Sequence, residues 1–167
     1  MPAPLSIKGR ALRLLAQREH SRAELERKLA GHEQQPGELA AALDALQSRG
    51  FIDEQRVADS LVHRRASRLG AARIHQELKA KGLDDALVAQ TLAHLRGSEL
   101  QRAHQVWQGR FGAMPTDARS RAQQARFLAA RGFGAAVIAK VLRGDVEADA
   151  TGLHESDPAP LKPRAST

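Results

Sequence analysis

There is no cysteine in the 167-residue chain. Disulfide scaffolds, Cys-ligated zinc, iron–sulfur clusters and thiol nucleophiles are excluded together. Tyrosine is also absent, and one Trp with four Phe leaves aromatics at 3%. With 42% hydrophobic residues, the core has to be built from Leu, Ala, Ile and Val, which favours helices over a β-sandwich. No stretch approaches the roughly 18 apolar residues of a membrane span. The start, Met1-Pro-Ala-Pro-Leu-Ser-Ile-Lys-Gly-Arg10, lacks the apolar run of a signal peptide. A soluble, cytoplasmic protein with no membrane contact is expected.

Positive charge is plentiful. Lys and Arg number 26 against 19 Asp and Glu, a formal net charge of +7 that points to acidic partners. The segment 145–167 differs from the rest: it holds five acidic and two basic residues, three prolines and no periodicity, and is expected to be a disordered acidic, Pro-rich tail. Residues 1–144 therefore carry +10. Such a tail either lies over the basic face and competes with a polyanion or, more commonly, only solubilises the end.

Glycines at 31, 50, 70, 82, 97, 112, 132 and 144 mostly follow apolar segments of helical period, where a left-handed residue would end a helix. Start signals sit downstream. Ser21-Arg-Ala-Glu24 and Ser98-Glu-Leu-Gln101 are capping-box patterns, Asp53, Asp84 and Thr116 are N-cap candidates, and Pro36 suits a first helical turn. Nine helices are predicted, near 5–17, 21–30, 36–49, 53–68, 71–81, 84–96, 98–110, 116–131 and 134–143, with no strand.

Sliding the chain on itself reveals a period near fifty residues. Leu78 maps onto Leu128, Gly82 onto Gly132, Leu83 onto Phe133, Val88 onto Ile138 and Leu92 onto Leu142. Glu24-Leu25 aligns with Glu77-Leu78, and Leu39, Leu43 and Leu46 align with Val88, Leu92 and Leu95 after a short insertion. The expected fold is all-α, an elongated, curved array of three tandem three-helix repeats at 1–50, 51–97 and 98–144, each covering its neighbour's apolar face.

Catalytic chemistry finds no foothold. The seven histidines, at 20, 32, 63, 75, 94, 104 and 154, show no metal-ligand spacing, and His32-Glu33 lacks a second His four residues on. Asp53-Glu54 and Asp84-Asp85 fall at helix starts, where capping explains them better than acid–base work. Arg131-Gly-Phe-Gly134 has neither the length nor the Lys-Ser/Thr of a phosphate loop and reads as a turn between helices. No enzyme activity, cofactor or metal is expected.

Cations are the remaining candidates. Arg64, Arg65 and Arg68 close the fourth helix, Arg73, Lys79 and Lys81 follow on the fifth, and Arg119, Arg121, Arg126 and Arg131 run along the eighth. With Ile74 and Leu78 facing inward, Arg73 and Lys79 lie off the core face, so stacked repeats can line a groove with cations for phosphate contacts. Such contacts give affinity without sequence readout. Trp107, Phe51, Phe111, Phe127 and Phe133 mostly fall at core positions, so base stacking is not the main contact. The helix 84–96, carrying Asp84, Asp85 and His94 with only Arg96 at its end, makes a poor recognition helix for duplex DNA.

Four blocks in order resemble the RecX regulators of the bacterial recombinase RecA over about residues 10–143. They are Ser21-Arg-Ala-Glu-Leu25 with Lys28-Leu29; Gly50-Phe-Ile-Asp-Glu-Gln-Arg-Val-Ala58; Arg68-Leu-Gly-Ala-Ala-Arg-Ile-His-Gln-Glu-Leu-Lys-Ala-Lys-Gly82; and Arg126-Phe-Leu-Ala-Ala-Arg-Gly-Phe-Gly134 leading into Val137-Ile138 and Val141-Leu142. The resemblance implies a monomeric modulator without enzymatic activity. It would lie along the groove of the RecA–single-stranded DNA filament and restrain strand exchange, ATP hydrolysis and co-protease activity. Glu54 and Val57 stand where the family more often shows Asp and an aromatic, and Leu69 and Gly134 where an aromatic and Ser are frequent; these read as core or cap adjustments. The alternative from the residues alone is a general nucleic-acid-binding helical protein, architectural or transcriptional, that acts without RecA.

Overall fold

Short polar side chains begin the helices. Ser6 accepts from the Gly9 amide, Asp53 from Arg56, Asp84 from Leu87 and Asp117 from Ser120, while Ser21 and Glu24 close a full capping box. In the computed structural model, which describes residues 5–146, the helices are α1 (Ile7–Leu15), α2 (Arg22–Leu29), α3 (Glu38–Ser48), α4 (Glu54–Arg65), α5 (Ala71–Ala80), α6 (Asp85–Arg96), α7 (Glu99–Arg110), α8 (Ala118–Ala130) and α9 (Ala135–Val141), with a 3-10 turn at Ala30–His32. No strand occurs among the described residues. The segment 147–167, to which the acidic-tail expectation mostly applies, lies outside them.

The helices pack in threes. α1–α3 enclose Leu25, Leu43 and Leu46, α4–α6 enclose Val57, Leu61, Ile74 and Leu78, and α7–α9 enclose Trp107, Leu128, Phe133 and Val141. Around the turn between second and third helices the repeat correspondences hold at the level of burial: Leu25, Leu78 and Leu128 are all wholly buried, and Leu83 and Phe133 sit equivalently, whereas Leu92 is only partly buried where Leu43 and Leu142 are buried. Gly82 and Gly132 both turn the chain between the second and third helices of their units at φ +75° and +86°, which only glycine adopts without strain. The structure is thus an all-helical array of three tandem three-helix units. Val57 and Leu69 pack in the second unit, Glu54 opens α4 and Gly134 precedes α9 as its N-cap, so the departures from the family pattern are core and cap positions.

Several local expectations are corrected. Ser98 does not cap α7 through its side chain; its hydroxyl donates back to the Leu95 carbonyl, because Gly97 keeps helical angles and leaves no extended N-cap. Asp117, not Thr116, caps α8. Pro36 lies in the turn before Gly37, the actual N-cap of α3. Gly31, Gly70 and Gly97 are not left-handed; Gly70 is instead the extended N-cap of α5. Phe51 is 47% exposed rather than a core residue.

The units meet through one recurring joint. The turn after α5 abuts the start of α2: the Ser21 hydroxyl donates to the Lys81 carbonyl, and Gly82 lies over Ala23. One unit on, the turn after α8 abuts the start of α5, where the Gly70 and Ala72 amides donate to the Arg131 and Gly132 carbonyls at 2.9 and 3.1 Å. Glu99 of α7 accepts from the Ala71 amide at 3.0 Å, so the third unit caps a helix of the second.

Candidate cationic interface

Lys81 is among the less exposed of the cations that the sequence points to, at 16% side-chain exposure. It reaches back across the joint to Glu24, at 2.9 Å, while Arg18 approaches the same carboxylate at 3.0 Å. Burial raises the Glu24 pKa, but hydrogen bonds from Arg18, Lys81 and the Ser21 amide outweigh it and hold the carboxyl down to about 2. Removing one partner from so enclosed a pair strands the other, so Lys81 is fixed to the fold. Its neighbour His20 is buried as well; burial lowers its pKa, and Nδ1 donates to the Arg18 carbonyl at 3.0 Å.

Around this joint lies a cavity of about 550 Å³ that brings together Arg64, Arg65 and Lys81 with Arg18, a residue the sequence does not single out. Two carboxylates, Glu24 and Glu77, share it. Arg65 pairs with Glu77 at 3.0 Å, and Lys79 pairs outside with Asp85. The Lys79–Asp85 pair is exposed and the Arg65–Glu77 pair partly so, and surface pairs of this kind hold weakly, so Arg65 and Lys79 can exchange their partners for a phosphate, whereas Lys81 cannot cheaply do so. Among the described residues Arg64 bonds only the Ser60 carbonyl of its own helix.

The other candidates divide in two. Arg73 lays its stem over Gly132 at the second joint and donates to Gln76, and Arg131 stacks 3.6 Å above the Phe127 ring while donating to the Phe127 carbonyl. Arg68, Arg119, Arg121 and Arg126 are exposed and carry no ion pair among the described residues. Arg121 and Arg126 flank an open apolar cleft between α8 and α9. The ten residues are therefore spread over both joints and α8 and do not form one pocket.

Two arginines with structural duties are not marked out by the sequence. Arg102 of α7 donates to the Ala66, Leu69 and Leu95 carbonyls at 2.8, 2.7 and 3.3 Å, and burial lowers its pKa. Arg56 of α4 does the equivalent one unit earlier, bonding Glu19 and the Gly50 and Phe51 carbonyls. Their position, in the first turn of the first helix of a unit and five or six residues after a glycine, is the signal that could have found them.

No group of three or more His, Asp or Glu able to hold a metal occurs among the described residues, and no helix there is long and apolar enough to cross a membrane. What the fold defines is a tandem-repeat helical protein that offers charged surface. Three family models match it in order: the first, second and third three-helix domains of RecX, at residues 8–46, 53–92 and 98–142. The chain belongs to the RecX family of regulatory proteins. It is 55% identical over 139 residues to the regulatory protein RecX of Leptothrix cholodnii, covering 83% of this chain and 88% of that one. It is 50% identical to the RecX of Ralstonia nicotianae, covering 84% and 89%. The crystal structure of RecX from Lactobacillus salivarius shares the fold, with a TM-score of 0.71 at 18% identity over 85% of this chain and 95% of that one.

Proposed function

We propose that this protein binds the RecA–single-stranded DNA filament and restrains its recombinase, ATPase and co-protease activities, without bond-making chemistry of its own. The observation that carries the reading is a family-defining array whose α8 holds Arg119, Arg121 and Arg126 free of ion-pair partners among the described residues. Such arginines can meet DNA phosphates or acidic protein surface without first giving up a structural bond. Arg64, Arg68 and Arg73 extend this set, Arg65 and Lys79 join by exchanging partners, and Lys81 and Arg131 serve by holding the joints in register.

A rigid array laid against successive filament subunits bridges them, and its differential affinity for filament states shifts the population toward the less active one. Co-sedimentation with RecA tests this. Retention is expected only when nucleotide and single-stranded DNA have assembled the filament; equal retention on DNA without RecA would favour a general nucleic-acid binder.

A further inference from the structure

Beyond these residues, the first unit holds a second concentration of positive charge. A cavity of about 380 Å³ opens between α1 and the end of α2, with Arg10, Arg13, Lys28 and His32 around it and Leu5, Leu14 and Leu29 forming its apolar wall. Arg10 and Arg13 are one turn apart on α1, and Lys28 faces them from α2. Arg10 bonds the Leu5 carbonyl, and none of these three has an ion-pair partner among the described residues.

Nearby arginines are committed to carboxylates: Arg18 is paired with Glu24 and Arg22 with Glu26 and Asp44, while Arg56, at the start of the second unit, holds Glu19 and Asp53. Two carboxylates, Glu33 and Glu38, line the adjoining cavity, but they accept backbone amides around the start of α3, Glu33 from Gly37 and Leu39 and Glu38 from Gln34. Clustered like charges destabilise a folded chain unless something compensates them.

We propose that this pocket binds an acidic segment of a partner protein that carries one large apolar side chain. The apolar side chain enters against Leu14 and Leu29, displacing water from a wall that includes the half-exposed Leu5. Carboxylates on either side of it meet Arg10, Arg13 and Lys28, and the guanidinium groups can take them in bidentate fashion. A nucleic-acid backbone would satisfy the charges but leave the leucines uncovered, and no Phe or Trp lines the pocket to stack a base. The inference is independent of the RecA reading.

The test is a titration of the full chain with a fluorescent twelve-residue peptide of Asp and Glu flanking a central Leu-Phe, beside a copy with Ser-Ser at the centre and an oligothymidylate of twelve nucleotides. Binding of the first peptide is expected to weaken roughly tenfold in a variant carrying Arg13→Glu and Lys28→Glu and to fall comparably for the Ser-Ser copy. Both substituted side chains are exposed, and an unchanged thermal melt shows that the variant folds. The proposal is overturned by absent binding, by equal binding to the variant, or by equal binding of the Ser-Ser copy. It is also overturned if the oligothymidylate binds this pocket more tightly, which assigns it to nucleic acid. Binding that emerges only after Asp149, Glu155 and Asp157 are changed to Lys assigns the pocket to the chain's own acidic segment and likewise overturns it.

Discussion

Gly70 and Gly132 meet backbone to backbone: a Cβ on Gly70 would lie 2.3 Å from the Gly132 carbonyl oxygen and 2.4 Å from the Phe133 nitrogen. The contact lets the Gly70 amide reach the Arg131 carbonyl and seats the third unit on the second. Because the obstacle is backbone, a side chain at residue 70 can be admitted only by parting the units.

Gly70→Ala is therefore expected to lower stability by about 1–3 kcal/mol, the range of an overpacked site. Gly97→Ala is the control. That residue already has helical angles and open space around its missing Cβ, so the change should raise stability by roughly 0.4–1 kcal/mol. Thermal unfolding followed by circular dichroism reads both.

Acid should loosen the first joint. The folded Glu24 carboxyl, near 2, lies below its ordinary 4.5, so its stabilisation is complete above the unfolded value and is lost as pH falls from about 5 through 2. Glu24→Gln is expected to cost on the order of 2–3 kcal/mol at pH 6 and much less at pH 2, so the two unfolding curves converge in acid. A constant difference across that range would show that the charge on Glu24 does not hold the joint.

Arg102→Ala removes a guanidinium that satisfies three carbonyls, and about 2 kcal/mol of stability should go with it. Lysine keeps the charge but cannot present the planar fork, so Arg102→Lys should recover less than half. Denaturant titration distinguishes the two, and full rescue by lysine would reduce the role of Arg102 to charge alone.

On α8 the expectation is the opposite: function lost, fold kept. Changing Arg119, Arg121 and Arg126 to Glu alters exposed positions, where substitutions usually move stability by less than about 0.5 kcal/mol. Binding to single-stranded DNA should weaken and its salt dependence flatten by about 2 in log–log slope, at roughly 0.7 for each phosphate no longer neutralised. Fluorescence anisotropy over a salt series measures both.

These contrasts show what could be read along the chain. Leu78, Gly82 and Leu83 recur as Leu128, Gly132 and Phe133 because each unit repeats the same turn against the same neighbour, and local pattern carries that information. Capping at Ser21, Asp53 and Asp84 is local too. The commitment of Lys81 to Glu24, 57 residues away, is not, and a lysine on an outer helix face looks the same whether it meets solvent or a neighbouring unit's carboxylate. Arg102 is illegible for the same reason, its acceptors Ala66 and Leu69 lying in the preceding unit. The cluster of Arg10, Arg13 and Lys28 becomes visible only once α1 and α2 are packed together.

The central claim is that available cations on a rigid helical array restrain a recombinase filament. RecA ATP turnover on single-stranded DNA, measured with this protein well below stoichiometric with RecA, tests it most directly. Turnover should fall with the native chain and recover with the Arg119, Arg121 and Arg126 to Glu variant. Undiminished turnover until the DNA itself is saturated, or equal inhibition by that variant, would contradict the account.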